Sequence, residues 1–267
     1  MAVKLVDVTY KNLFQNLNVE IKSDQIFSVV GKNGSGKTSF LNLIFGLDKN
    51  FVGKIVINRK NITSKIKVKE LEKIREKMFY LSQNYQNQLF NINIYEDIKY
   101  RILKLDEQKL DELLKSFGLN GNILTKNYSE LSDSEIKRIL IIIMLIRDSK
   151  ILLLDDPTNG LDQKSVDALI KILRREKRNG KTVIIASQDS EFLFKVSDNI
   201  LIINSGKLVK KDNKYEFFEN QDLLNSCGLQ MPNIMKFRET VLKRKNVKLV
   251  YRDNINDLIK DIHRNVK

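Results

Sequence analysis

The chain has 267 residues, enough for one large domain with a small appendage, and its 42% apolar content is ordinary for a globular protein. Cys227 is the only cysteine, which excludes an intrachain disulfide and points to a reducing compartment. The net charge of +14 reads as compositional drift in a chain rich in Lys, Asn and Ile, not as a nucleic-acid surface, because no basic run is interleaved with aromatics.

The start, MAVKLVDVTYKN, alternates as a strand and lacks the apolar core of a signal peptide. Residues 3–10 and 17–22 are expected to be strands, and 26–30, IFSVV, a short apolar strand running into a Gly-rich loop. After Lys37, the residues Phe40, Leu41, Ile44 and Phe45 recur at helical spacing and Gly46 ends the helix. Further strands are expected at 53–58 and 78–82, and a helical region from about 94 to 127. Within it Leu110, Leu113, Leu114 and Phe117 share a face, with Asp106 as N-cap and Gly118 as stop. A buried helix at 136–146 follows; its apolar run, Ile139 to Ile146, is bracketed by Arg138 and Arg147 and is too short to span a bilayer. Then come a strand (151–155), a helix (164–178), a strand (182–187), a helix (190–197) and a hairpin around Ser205 and Gly206. Alternating strands and helices predict an α/β fold with a mostly parallel sheet. Beyond about residue 214 a stripe of Ile234, Phe237 and Val241, a VKLVY strand, and a stripe of Ile255, Leu258, Ile259 and Ile262 predict a small α+β appendage.

Residues 31–38, GKNGSGKT, fit the pattern G-x-x-x-x-G-K-[ST], in which backbone N–H groups cradle phosphates. Gly31, Gly34 and Gly36 permit the turn and close approach, while Lys32, Asn33, Ser35 and Ser39 complete the cradle. Lys37 is expected to reach the β/γ-phosphates, and the Thr38 hydroxyl to ligate Mg²⁺. The strand ILLLD ends in Asp155, a second Mg²⁺ candidate, and Gln83, after a strand, could touch the metal and attacking water.

The order GKNGSGKT, LSQN, LSDSEIKR, ILLLDDPTNGLD and SQD resembles the ATP-binding domain of an ABC transporter over residues 3–210. That resemblance implies a P-loop NTPase (ABC ATPase) fold: a mostly parallel central sheet, an N-terminal antiparallel β part and a helical subdomain (about 84–147) within a domain at 1–213, followed by a C-terminal accessory or dimerisation region at 214–267. It also implies Tyr10 as an adenine-stacking aromatic, and residues 159–162, NGLD, as a loop crossing a dimer interface. SQNYQNQLFNINIYEDI and EFFENQDLLNSCGLQMPNI resemble segments of energy-coupling factor (ECF) transporter ATPases, although Tyr85 replaces a proline. In that family two ATPase subunits pair beneath a membrane T component, and an S component binds a vitamin or metal ion.

Against the family pattern, the signature LSGGQ reads LSDSE here: Ser132 keeps a hydroxyl for the partner's γ-phosphate, while Asp133 adds charge and Ser134 replaces a glycine. Ser132 and Glu135 also form a capping-box pattern. Asp156 stands where a catalytic Glu is expected, pulling the base back by roughly 1 Å, a misplacement that can cost about 100-fold in rate. Gln188 stands where the family has a His, and it can donate a hydrogen bond but cannot titrate near neutrality. The only histidine, His263, lies in the tail and is expected to be a surface residue. The resemblance implies an ATP- and Mg²⁺-binding ATPase subunit on the cytoplasmic face of the plasma membrane, held there by membrane partners; the departures at 133–135, 156 and 188 predict that it is the less active half of a pair with a more standard ATPase subunit. The alternatives are a pseudo-ATPase that binds ATP only to assemble or regulate a complex, and a competent ATPase of another ABC importer.

Overall fold

The computed structural model describes residues 2–85, 89, 93–102, 104–204, 207–245 and 255–265. Its spine is a six-stranded sheet built from β3 (Ile26–Val30), β6 (Met78–Leu81), β7 (Ile151–Asp155), β8 (Thr182–Ala186), β9 (Asn199–Asn204) and β10 (Lys207–Asn213). The strand order is β10-β9-β3-β8-β7-β6, and all neighbours are parallel except the β9–β10 pair. Strands β3, β6, β7 and β8 are buried along their whole length, as expected of parallel strands covered on both faces.

Alternation along each strand sorts the core into two halves. Phe27, Val29, Leu153 and Ile184 face helix α1 (Lys37–Phe45) and a four-stranded antiparallel sheet. That sheet runs β2-β1-β4-β5, from β1 (Val3–Tyr10), β2 (Phe14–Ile21), β4 (Phe51–Ile57) and β5 (Lys60–Ile62). Ile26, Val30, Leu152, Leu154 and Ile185 face the other way, onto helices α5 (Asp133–Arg147), α6 (Gln163–Arg178) and α7 (Ser190–Val196). Helix α2 (Val68–Arg75) ends in Arg75, which donates to the carbonyls of Phe45 and Gly46 at 3.0 and 2.6 Å and so ties down the C-terminus of α1.

Helices α3 (Ile94–Arg101) and α4 (Glu107–Ser116) fill the helical region. Asp106 caps α4 by accepting from the Lys109 N–H at 3.0 Å, and Gly118 lies at φ 66°, the left-handed conformation of a helix stop. Leu110, Leu114 and Phe117 are buried and Leu113 is half-buried.

The tail departs from expectation in how it packs. Helices α8 (Lys214–Glu219) and α9 (Gln221–Cys227) bury Phe217, Phe218, Leu224 and Cys227 in the same core half as α5 and α6, so the chain beyond 214 begins as part of the main body. In α10 (Asn233–Lys245) the buried side chains are Met235 and Arg238, one residue along from the expected stripe of Ile234, Phe237 and Val241, which are half-buried. Arg238 pairs with Glu219 of α8. In α11 (Ile255–Asn265) Leu258 is buried, while Ile259 and His263 are exposed. The VKLVY segment and the turn at Ser205 and Gly206 lie outside the described residues.

Candidate functional site

The register of the sheet builds the site. Val29 pairs with Ala186, and Ala186 with Asp155, so the strands β3, β8 and β7 end level with one another. The loop 31–38, Gln188, the pair Asp155 and Asp156, and Gln83 therefore leave the sheet at one rim, the carboxyl ends of the parallel strands.

The loop is shaped by contact as much as by backbone freedom. A Cβ on Gly31 would lie 2.2 Å from the Ile203 carbonyl oxygen and 2.5 Å from the Ser35 hydroxyl, and one on Gly36 would lie 2.9 Å from the Phe14 ring. Gly34, at φ 76°, has open space around it and is needed only for its left-handed backbone. Helix α1 starts without a side-chain cap and without an acid in its first turn, leaving its N–H groups and positive end for an anion. Lys37 is buried, and its ammonium donates to the carbonyls of Gly31 and Lys32 at 2.9 and 3.1 Å. Burial lowers its pKa, opposed by the nearby charges of Asp156 and Asp155. Lys32, Asn33 and Gly34 are exposed, Ser39 is half-exposed beside them, and Ser35 is buried with no hydrogen-bond partner for its hydroxyl.

Asp155 is buried at the end of β7, and its Oδ2 has no hydrogen-bond partner. Burial pushes its pKa up to about 6, against the stabilising pull of the Thr38 hydroxyl and the Gln83 backbone N–H. An orphaned carboxylate oxygen beside a hydroxyl is the hard-oxygen environment that Mg²⁺ takes when phosphates supply its other ligands. Among the described residues no group of three His, Cys, Asp or Glu could hold a metal ion. Asp156 has the left-handed φ of 45°, fixed by its N–H donating to the Ala186 carbonyl at 2.8 Å. Gln188 donates from Nε2 to the Gly31 carbonyl at 3.2 Å.

Tyr10 does not present an open ring. It is 7% exposed, its hydroxyl donates to Asp48 at 2.7 Å, the Lys11 ammonium sits 4.7 Å from its ring centroid, and Phe14 packs at 6.3 Å. Lys11 also pairs with Asp48 at 3.0 Å. Nothing in the local sequence signals the Asp48 contact, which joins segments 38 residues apart.

Ser132 stands at the start of α5, and its capping box is formed: its N–H and hydroxyl both donate to Glu135, at 2.9 and 2.8 Å. Sequence reasoning missed Lys137, which is buried and donates to the Asp156 and Asn159 carbonyls, linking α5 to the turn that carries the candidate base. Its spacing of four from Asp133 is the one signal that could have found it.

Comparison with known proteins agrees with this arrangement. The family described as ABC transporter matches residues 14–159. An energy-coupling factor transporter ATP-binding protein of Clostridium perfringens is 30% identical over 239 residues, covering 87% of this chain and 82% of the relative. A second, from Methanothermobacter thermautotrophicus, is 29% identical over 241 residues, covering 86% of this chain and 76% of the relative. Among solved structures, cbiO1 of Clostridium perfringens, described as part of an ABC transporter complex, superposes with a TM-score of 0.69 at 28% identity, covering 89% of this chain and 98% of that one. A dimeric ATP-binding cassette in a post-hydrolysis state, bound to ADP and Pi, gives a TM-score of 0.70 at 27% identity, covering 79% and 98%.

Proposed function

The chain belongs to the ABC transporter family of ATPases, and from that premise we propose that it is the ATP-binding subunit of an ECF-type importer, working as the less active half of an unequal pair. The observation that carries the reading is the rim of the sheet, where Lys37, Gln188, Asp155 and Asp156 surround the loop 31–38.

ATP enters with its phosphates against the open N-terminus of α1, and Lys37 exchanges two backbone carbonyls for phosphate oxygens. Thr38, Asp155 and Gln83 would hold Mg²⁺, which would supply positive charge to offset that of the triphosphate. Asp156 takes the proton of the attacking water from a carboxylate one methylene shorter than the family's Glu, and Gln188 donates a fixed hydrogen bond where a His would titrate. Both changes slow chemistry at this chain's own loop while leaving the grip on ATP intact. Ser132 turns to the ATP held by a second subunit.

Such a chain pairs with a second, more standard ATPase subunit, beneath a membrane T component and an S component for a vitamin or metal ion. No helix among the described residues is long and apolar enough to cross a membrane, so attachment to the cytoplasmic face goes through those partners. Residues 1–213 serve as the ATP-binding domain, with 84–147 as its helical subdomain, and 214–267 as an accessory region that is joined to it through α8 and α9 in the main core.

ATP hydrolysis by the chain alone, with its co-purifying ATPase subunit, and with that subunit's catalytic Glu changed to Gln tests the reading. Near-complete loss in the third case is expected; retained hydrolysis would overturn the unequal pair.

A further inference from the structure

The turn after β6 meets the start of α5 in a cluster of side chains. Tyr85 is buried, yet its hydroxyl donates to the Asp133 carboxylate at 2.7 Å. Burial and this bond push the phenol up to about 12, so it remains a donor near neutrality. Asp133 and Lys137 stand four residues apart and share a face of α5. The Lys137 ammonium lies 5.7 Å from the Tyr85 ring centroid; burial lowers its pKa, opposed by the nearby charges of Asp156 and Asp133. These side chains, with Gln83 and Gly160, wall a cleft of about 450 Å³. Asp133 itself is exposed and would otherwise choose its rotamer freely; Tyr85 is fixed by packing, so their bond decides where the carboxylate sits.

Asp133 is the charged departure in the LSDSE segment, and Tyr85 stands at the departure from proline after Gln83. The two departures touch. A carboxylate loose at the head of α5 would repel a phosphate brought to Ser132; one bonded to the Tyr85 phenol is held on the Tyr85 side.

We infer that Tyr85 is a positioning residue that holds the Asp133 carboxylate back against its own subunit, away from the ATP that a second subunit presents to Ser132. This rests on the reading that the 131–135 segment faces a partner's nucleotide. Lys137 bonds the 156–159 turn and not Asp133, so Tyr85 is the probe.

The test is a double-mutant cycle in the intact ATPase pair, with Tyr85→Phe, Asp133→Gly and both together, reading KM for ATP and kcat. Tyr85→Phe is expected to raise KM about 3- to 10-fold with kcat within about twofold, and the rise should shrink in added salt, as charge repulsion does. In the Asp133→Gly background, Tyr85→Phe should change KM by less than about twofold. An equal rise in both backgrounds, or no rise in either, overturns the inference. Ser132→Arg separates the two failures: if it abolishes pair-dependent hydrolysis while the cycle shows no coupling, the inference alone falls. If hydrolysis survives Ser132→Arg, the underlying reading falls with it.

Discussion

Gln188 donates to the carbonyl of Gly31 at 3.2 Å, and the Lys37 ammonium shares that same oxygen at 2.9 Å. Gln188 therefore still anchors the start of the loop when phosphates draw Lys37 away. Gln188→Ala should weaken ATP binding by a factor of about 2–10, the worth of one neutral hydrogen bond, in a fluorescent-nucleotide titration. Asp156→Glu with Gln188→His should raise turnover of the pair at least about tenfold if those positions limit chemistry. Unchanged turnover would move the limit to the 131–135 segment.

Gly31 and Gly34 should fail differently. At Gly31 a methyl group meets a backbone oxygen at 2.2 Å that cannot move cheaply, so Gly31→Ala should abolish ATP binding and cost about 1–3 kcal/mol of stability. At Gly34 only the left-handed backbone resists, and Gly34→Ala should cost about 1–2 kcal/mol, with binding weakened but measurable. Thermal melts and nucleotide titration on both variants check the ranking; the reverse order would contradict the close approach at Ile203.

Asp155 gives a pH dependence of definite sign. Its folded-state pKa of about 6 lies above the ordinary carboxylate value of about 3.9, so the folded chain holds an extra proton between those limits. Stability from this group falls as pH rises through that window, and the penalty is complete above it. Asp155→Asn should accordingly raise the melting temperature at neutral pH without Mg²⁺, with the gain vanishing below about pH 4, while removing the Mg²⁺-dependent part of ATP affinity. A gain of equal size at both pH values would show that burial of the charge is not its source.

The covered ring of Tyr10 yields a test of adenine stacking. If the base takes the face now occupied by Lys11, Lys11→Ala should leave ATP affinity equal or better by a few-fold, and Tyr10→Ala should lower it about 5- to 10-fold. Equal affinity of Tyr10→Ala and the unaltered chain would remove Tyr10 from the site.

Several features were legible because their causes are local. The strand at 26–30, the uncapped helix at 37–45, the Asp106 cap and the Ser132–Glu135 capping box each follow from residues within a few positions of one another, and each stands where the pattern placed it. Even Gly34 is explained by backbone conformation alone.

Other features were not legible, because periodicity says which face of an element is apolar but not what lies against it. The closing of the Tyr10 ring by Lys11 and Asp48, the shift of the α10 face to Met235 and Arg238, and the entry of α8 and α9 into the main core all depend on neighbours from distant segments. By itself the sequence determined that this chain carries a phosphate-binding motif and where its other motifs depart from the family pattern. Only the tertiary structure decided that two of those departures, Tyr85 and Asp133, meet: a hydrogen bond across 48 residues exists only once the sheet has set the Gln83 turn against the head of α5.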